Sequence, residues 1–340
     1  MSGIPLEKGP ELDIAVSSRV RFARNFADIP FPVKMTPKHQ SVLVKKVQGI
    51  ISEYTAYGKL MYADMTAMHP LDRISLMERH LISPDLAESK GNSGAFINEN
   101  ENVSIMVNEE DHIRIQSIFQ GIMLEKAYRV CDEIDSIIAQ KADYAFDDKY
   151  GYLTSCPTNL GSGMRASVML HLPALVMTGF MKSILESCTK LGVAVRGIYG
   201  ENSEAVGDMF QVSNQITLGR KDDETIAAID GICKQIIDRE KALRYQLYKQ
   251  NIHKFEDRIF RSCGLLENAR LLSAQESFKL LSDVRLGVSM GIIKDIGILT
   301  LNEILVLSQP ATLQKIAGKQ LNQEERDIKR AELVRTKLQK

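Results

Sequence analysis

Apolar residues recur with helical spacing in some stretches of this chain and alternate with polar ones in others. Leu43, Val47, Ile50, Ile51 and Tyr54 share one face behind Thr36-Pro37, which predicts a helix because side chains three and four apart lie on one side. Residues 12–26 predict an extended segment followed by a basic turn. Val103, Ile105 and Val107 alternate with Ser104 and Met106, the pattern of a strand, ending at Asn108. A long helix is predicted over 113–140, with Ile118, Ile122, Tyr128 and Ile134 among its apolar positions. A strand near Tyr152, a loop and a strand over 166–172 follow. Pro173 opens a helix predicted to run to Gly192, then come strands over 193–196 and 210–218 and a helix over 223–248. Beyond about residue 250 strand signals nearly vanish, and 252–262, 275–287, 300–308 and 322–339 all read as helices. The pattern predicts a mixed α/β unit followed by a helical one, without internal repeats.

Composition narrows the class. The 340 residues are 44% hydrophobic and 25% charged, enough for an ordinary core and unlike a disordered chain. Lys+Arg and Asp+Glu both total 43, so wholesale nucleic-acid binding lacks electrostatic support and only a local basic site is expected. The five cysteines are widely spaced with no CxxC pair, which predicts reduced thiols in a cytoplasmic protein. Glu7, Lys8, Glu11 and Asp13 leave no room for a signal peptide, and no segment is apolar enough to span a bilayer.

Candidate chemistry gathers in four segments. Arg19 and Arg21, in Ser17-Ser18-Arg19-Val20-Arg21, share one face of an extended segment, while Arg24 breaks the period. Two adjacent guanidiniums repel each other unless an anion lies between them, and each can grip a phosphate bidentately. A solvated basic strand edge is the plainer reading of that segment alone. Asn108-Glu109-Glu110-Asp111-His112-Ile113-Arg114 follows a strand and is expected to open the next helix, where acids suit the helix dipole and also a cationic substrate. Cys156-Pro157-Thr158-Asn159-Leu160-Gly161-Ser162-Gly163-Met164-Arg165-Ala166-Ser167 combines a thiol, a rigid turn, two glycines and an arginine, so that backbone N–H groups and a guanidinium can face an anion. Arg196-Gly197-Ile198-Tyr199-Gly200-Glu201-Asn202-Ser203-Glu204 joins an arginine, two glycines and two carboxylates in a short loop.

These segments resemble the signature of the ATP:guanidino phosphotransferases, whose best-known members are the creatine and arginine kinases, over roughly residues 12–245. The resemblance implies an α+β fold. A catalytic domain over 12–248, a largely antiparallel sheet flanked by helices of the glutamine-synthetase-like kind, would precede a small all-helical domain over 249–340. It implies that ATP is held by Ser17, Ser18, Arg19, Val20 and Arg21, by Arg114, by Arg165, Ala166, Ser167, Val168 and Met169, and by Arg196, Gly197, Ile198, Tyr199, Gly200 and Glu201. His80 would touch the base or ribose. Glu110 would clamp the substrate guanidinium and draw off its proton, Cys156 would lie against it, and Glu201 or Glu204 would supply a second carboxylate. Glu109 would sit near the Mg²⁺ shell. Neither GxxxxGK[ST] nor H-R-D and D-F-G patterns occur, so this is no P-loop or eukaryotic-type protein kinase.

Two departures point to the guanidino group. The Ser17–Arg24 motif stands close to the first residue, which leaves no helical cap of the creatine and arginine kinase kind and predicts a site open to protein side chains. Tyr199 also stands where arginine kinases have an arginine, and Arg196 is the candidate replacement. Near the other end, Arg326-Asp327-Ile328-Lys329-Arg330-Ala331 resembles the R-D-x-x-R-A element of the bacterial protein-arginine kinases. That likeness implies a regulatory phosphoarginine pocket at Arg326, Asp327, Arg330 and Ala331, arginine-containing protein substrates, and a homodimer. It further implies a zinc-binding activator, a Clp ATPase that degrades marked proteins under stress, and a heat-shock repressor as partners. A kinase for free arginine or another small guanidino compound, and a non-catalytic phosphoarginine-binding adaptor, are the alternatives.

Overall fold

Eight strands form one sheet in the order β2-β3-β4-β5-β1-β8-β10-β9, and every neighbouring pair is antiparallel. The computed structural model describes residues 8–52, 54, 56–197 and 205–339. In chain order the first half runs β1 (Ala15–Arg24), α1 (Pro37–Ile51), β2 (Leu60–Asp64), α2 (Pro70–Glu78), α3 (Pro84–Glu88), β3 (Gly94–Asn98), β4 (Val103–Val107), β5 (Ile113–Gln120) and α4 (Leu124–Ala139). A two-stranded ribbon of β6 (Phe146–Asp147) and β7 (Gly151–Tyr152) leads to β8 (Met164–His171), α5 (Pro173–Met177), α6 (Met181–Lys190), β9 (Val193–Gly197), β10 (Met209–Asn214) and α7 (Asp222–Gln250). The rest is helical: α8 (Ile252–Asn268), α9 (Ala274–Ser289), α10 (Ile298–Leu307), α11 (Pro310–Ala317) and α12 (Gln323–Leu338). This is the expected α+β architecture with a helical C-terminal part.

One face of the sheet builds the main core. Val20 and Phe22 of β1 and Val168 and Leu170 of β8 pack with Leu43 and Val47 of α1, Val130 and Ile134 of α4, and Ile229 and Ile236 of α7. Thr36 caps α1, its hydroxyl accepting from the His39 N–H, with Pro37 in the first turn, as the start signal predicted. The opposite face is open at its centre. Leu76 of α2 and Leu86 of α3 cover one flank with Met106, and the C-terminal helices lie at the other margin around Ile259, Val284, Ile304 and Val334.

Polar anchors tie the helical part to the sheet. Arg285 of α9, almost fully buried, donates to the Leu12 carbonyl at 2.8 Å and to Asn302 at 2.5 Å. The Glu78 carboxylate of α2 accepts the Ala311 and Thr312 N–H groups at 2.8 and 2.7 Å, capping α11. Buried Glu240 does the same for Ala174 and Leu175 of α5 while holding Arg244 at 2.7 Å. The buried carboxylates accept from donors that replace water, and Arg285 finds acceptors for two of its nitrogens.

Several boundaries differ from the expectation. The stretch 113–140 is a strand, then a helix: Ile113, Ile115, Ser117 and Phe119 are buried on alternate positions of β5, and the chain turns at Gly121 before α4. Gly121 has φ +73, and a side chain there would meet the Pro10 carbonyl, so only glycine makes that turn comfortably. The helix opened by Pro173 breaks into α5 and α6 around Gly179, at φ +74. The strand predicted over 210–218 ends at Asn214. Strands β2 and β3 and helices α2, α3 and α11 lie in stretches where no element was predicted.

Candidate active site

Four arginines meet on the open face because their strands are neighbours. Arg21 of β1 stands opposite Arg165 of β8. On the other side Arg114 of β5 stands opposite Ala23, one step along the same face. Arg19 faces Ser167 across the β1–β8 ladder. Farther out, Arg196 of β9 pairs with Gln211 of β10, which pairs with Met169. Side chains alternate between faces, so the segment Ser17-Ser18-Arg19-Val20-Arg21 is split. Ser17, Arg19 and Arg21 point to the open face, while Val20 is fully buried in the core and Ser18 bonds the Gly121 carbonyl at 2.7 Å. Ala166 and Val168 likewise face the core. The side chains of Ser18, Val20, Ala166 and Val168 therefore point away from the arginine face. They seat its strands.

The cations strain one another. Burial pushes the Arg21 guanidinium well below its ordinary value, and the charges of Arg19, Arg114 and Arg165 push it further, with Glu109 opposing. Arg165 is lowered by burial and then by Arg196 and Arg114. Guanidiniums stay protonated in proteins, so an anion placed among them would relieve the repulsion. Arg24 points the other way, as its broken period predicted. It is buried, pairs with Asp135 at 2.8 Å and stacks on the Tyr152 ring at 3.6 Å.

At one edge of this face lies an acidic corner. Glu109, Glu110 and Asp111 were expected to begin a helix; they form the turn between β4 and β5, closed by the Asn108 N–H to the His112 carbonyl at 3.0 Å. Glu109 and Glu110 grip Arg114 at 2.5 and 2.8 Å. Glu109's side chain is wholly buried, whereas Glu110's is 37% exposed, leaving Glu110 able to meet a substrate. Asp111 is buried and does a different job. Its Oδ1 accepts from Asn25 and from the Ser155 N–H, both at 2.7 Å, which fastens the loop carrying Cys156 to the acidic turn.

The Cys156 loop is shaped by its own sequence. A single 3₁₀ turn over Pro157–Asn159 follows the cysteine. Gly161 (φ +109) packs where a Cβ would lie 2.7 Å from Leu218 and the Thr217 carbonyl, and Gly163 (φ +65) does so against the Ala23 carbonyl at 2.6 Å. Thr217 then holds the loop by donating to the carbonyls of Thr158 and Leu160 at 3.0 and 2.7 Å. The half-buried Cys156 sulfur lies 3.0 Å from the Thr158 hydroxyl. Asn159 reaches toward Glu110 at 3.5 Å. Cys156, Glu110, Arg114 and Arg165 thus gather at one end of the arginine face.

His80 borders the other end. It holds φ +60, and its carbonyl accepts from Gln116 at 2.7 Å. Burial, then Arg19, push its imidazole down to about 4, so it is neutral near pH 7. A 130 Å³ cavity runs from Arg19 to His80, Ile118, Ser167 and Met169. The expected ligands Ile198, Tyr199, Gly200, Glu201 and Glu204 lie outside the described residues; Arg196 and Gly197 end β9 just before them. Gln116, Gln211, Ser213 and Asn159 also belong to this surface and were not anticipated. Gln116 alternates with Arg114 on β5, a signal hidden by reading that stretch as a helix.

The Arg326–Ala331 element lies on α12, and its residues divide. Arg330 is buried, donating to the carbonyls of Ser308 (2.9 Å) and Leu272 (2.8 Å) and to Asp327 (2.6 Å). Ala331 is in the helical core. Both are packed inside the helical part in this structure. Arg326, half-buried and bonded to the Leu321 carbonyl at 2.9 Å, lies nearer the surface. Among the described residues no group of three His, Cys, Asp or Glu is placed to hold a metal, and no helix is long and apolar enough to cross a membrane.

Comparison with known proteins gives the family. Residues 42–243 match the ATP:guanido phosphotransferase C-terminal catalytic domain, and residues 252–340 match the Protein-arginine kinase McsB C-terminal domain. The protein-arginine kinase of Bacillus subtilis (strain 168) is 46% identical over 98% of this chain and 92% of its own length. That of Caldanaerobacter subterraneus subsp. tengcongensis is 47% identical over 96% and 98%. Among solved structures, the duplicated taurocyamine kinase from Schistosoma mansoni with bound transition-state analog components is similar at TM-score 0.63 and 27% identity, over 72% of this chain and 36% of that one. Lombricine kinase shares the fold at TM-score 0.63 and 23% identity, over 72% and 70%. The chain belongs to the ATP:guanido phosphotransferase family, in its protein-arginine kinase branch.

Proposed function

We propose that the chain transfers the γ-phosphate of ATP to arginine side chains of proteins, in the cytoplasm. The observation that carries this reading is the meeting of the arginine face with the Glu110–Cys156 corner. The first suits a polyphosphate and the second a guanidinium. In this reading Arg19, Arg21, Arg114, Arg165 and Arg196 take the phosphates. Glu109, whose buried Oε2 has no partner among the described residues, would lie near the shell of an Mg²⁺ bound with ATP, which would neutralise phosphate charge.

The substrate guanidinium is cationic and therefore a poor nucleophile. Glu110, with Cys156 beside it, holds the group in line with the γ-phosphorus and accepts a proton from the attacking nitrogen. The N–P bond forms as the bond to the ADP oxygen breaks. Positioning and charge neutralisation carry such a transfer, with little covalent work for the protein. Glu201 or Glu204 supplies the second carboxylate.

Regulation follows the same reading. Phosphoarginine binds at the surface side of α12 near Arg326 and Asp327, the chain acts as a homodimer, and its marked proteins pass to a Clp ATPase in stress. A zinc-binding activator and a heat-shock repressor are the expected partners. The test is a protein substrate in two forms, native and with its arginines replaced by lysine. Phosphate from ATP should enter only the first, and equal labelling of both contradicts the reading.

A further inference from the structure

We infer that the helical C-terminal part forms one wall of the nucleoside pocket, so that ATP bridges it to the sheet. The inference rests on the ATP-kinase reading and extends it to residues outside the catalytic domain. The cleft that leaves the arginine face at Arg19 does not stop at His80. Ser17, His80, Ile118 and Met169 are shared with a second cavity of about 90 Å³. The far side of that cavity is made by Phe278 of α9 and by Asn302, Leu305 and Val306 of α10. A ligand with phosphates on Arg19 and Arg21 therefore has its other end directed into an apolar slot between the two parts of the chain.

The slot has the character that a nucleoside needs. Ile118 and Met169 on one side and Leu305 and Val306 on the other offer flat apolar contact, and the neutral His80 can lie against a ring without burying a charge. Its wall also holds a buried acceptor. Glu101 pairs with Arg79 through Oε1, while Oε2 has no partner among the described residues. An unpaired buried carboxylate oxygen is costly, and the amino group of a base or a sugar hydroxyl can satisfy it. The slot is also preformed, because Asn302 bonds Gln120 of β5 at 3.3 Å and Arg285 at 2.5 Å.

The test compares ATP with inorganic tripolyphosphate, which carries the phosphates and no nucleoside, by calorimetry on the full chain. Val306→Trp, which fills the slot, should raise the Kd for ATP about tenfold or more and leave that for tripolyphosphate within about twofold. An unchanged ATP Kd, or equal weakening of both ligands, overturns the inference. On the native chain, ATP should slow amide exchange over Ile298–Leu307 and tripolyphosphate should not; no protection by ATP also overturns it. A native chain that binds neither ligand defeats the underlying kinase reading instead.

Discussion

Arg21 and Arg165 face each other directly across the β1–β8 ladder, two like charges at one cross-strand position. Such a pair destabilises the empty fold, and an anion taken up there would relieve it. Arg165→Met should therefore leave thermal stability unchanged or raise it by about 0.2–1 kcal/mol, while weakening ATP binding. Calorimetric unfolding beside ATP titration checks both. A loss of stability together with unchanged ATP affinity would make the pair structural.

Glu109 and Glu110 are neighbours with separable roles. Glu110→Gln should lower kcat by about 100-fold or more with unfolding unchanged, because its carboxylate is part-exposed. Glu109→Gln should cost stability as well, since that side chain is wholly buried against Arg114. Full activity in Glu110→Gln would remove the proton-accepting role.

His80 gives a pH signature. Its folded value of about 4 lies below its ordinary 6.5, so between those values the unfolded chain binds more protons. Its contribution to stability is complete above pH 6.5 and is lost as pH falls through that window toward 4. Asparagine tolerates the positive φ of this position, so His80→Asn removes the titration without straining the backbone. Urea unfolding from pH 7 to 4 should decline less steeply in the variant; parallel curves contradict the assignment.

On α12 the two arginines should behave differently. Arg330→Ala leaves the carbonyls of Ser308 and Leu272 without their buried donor and should cost about 2–4 kcal/mol. Arg326→Ala should cost under about 1 kcal/mol and abolish any response of activity to free phosphoarginine. A response that survives in Arg326→Ala would leave the helix a packing element.

Much of this could be read from residue order, and the failures have physical causes. Thr36-Pro37 set the start of α1, and the alternation of Arg19 with Arg21 placed both on one face, because cap and pleat are local properties. The stretch 113–140 misled because Ile118 and Ile122 also satisfy helical spacing, and the turn at Gly121 depends on the distant Pro10 carbonyl. With β5 hidden, Gln116 is hidden too, and the acids at 109–111 read as a helix end instead of a strand turn. Arg330 resisted for a similar reason: its partners at Leu272 and Ser308 lie far away in sequence, so a buried clamp looks like part of a charged surface helix. The helical wall of the slot needed α9 and α10 set against β1 and β5, which no single stretch encodes.

The most direct measurement is mass spectrometry, kept non-acidic throughout because the N–P bond is acid-labile, on reactions of the chain with Mg-ATP and either an arginine-containing protein or free arginine. The account predicts phosphoarginine on the protein and little on the free amino acid. Phosphorylation of free arginine alone, or none of either, would contradict it.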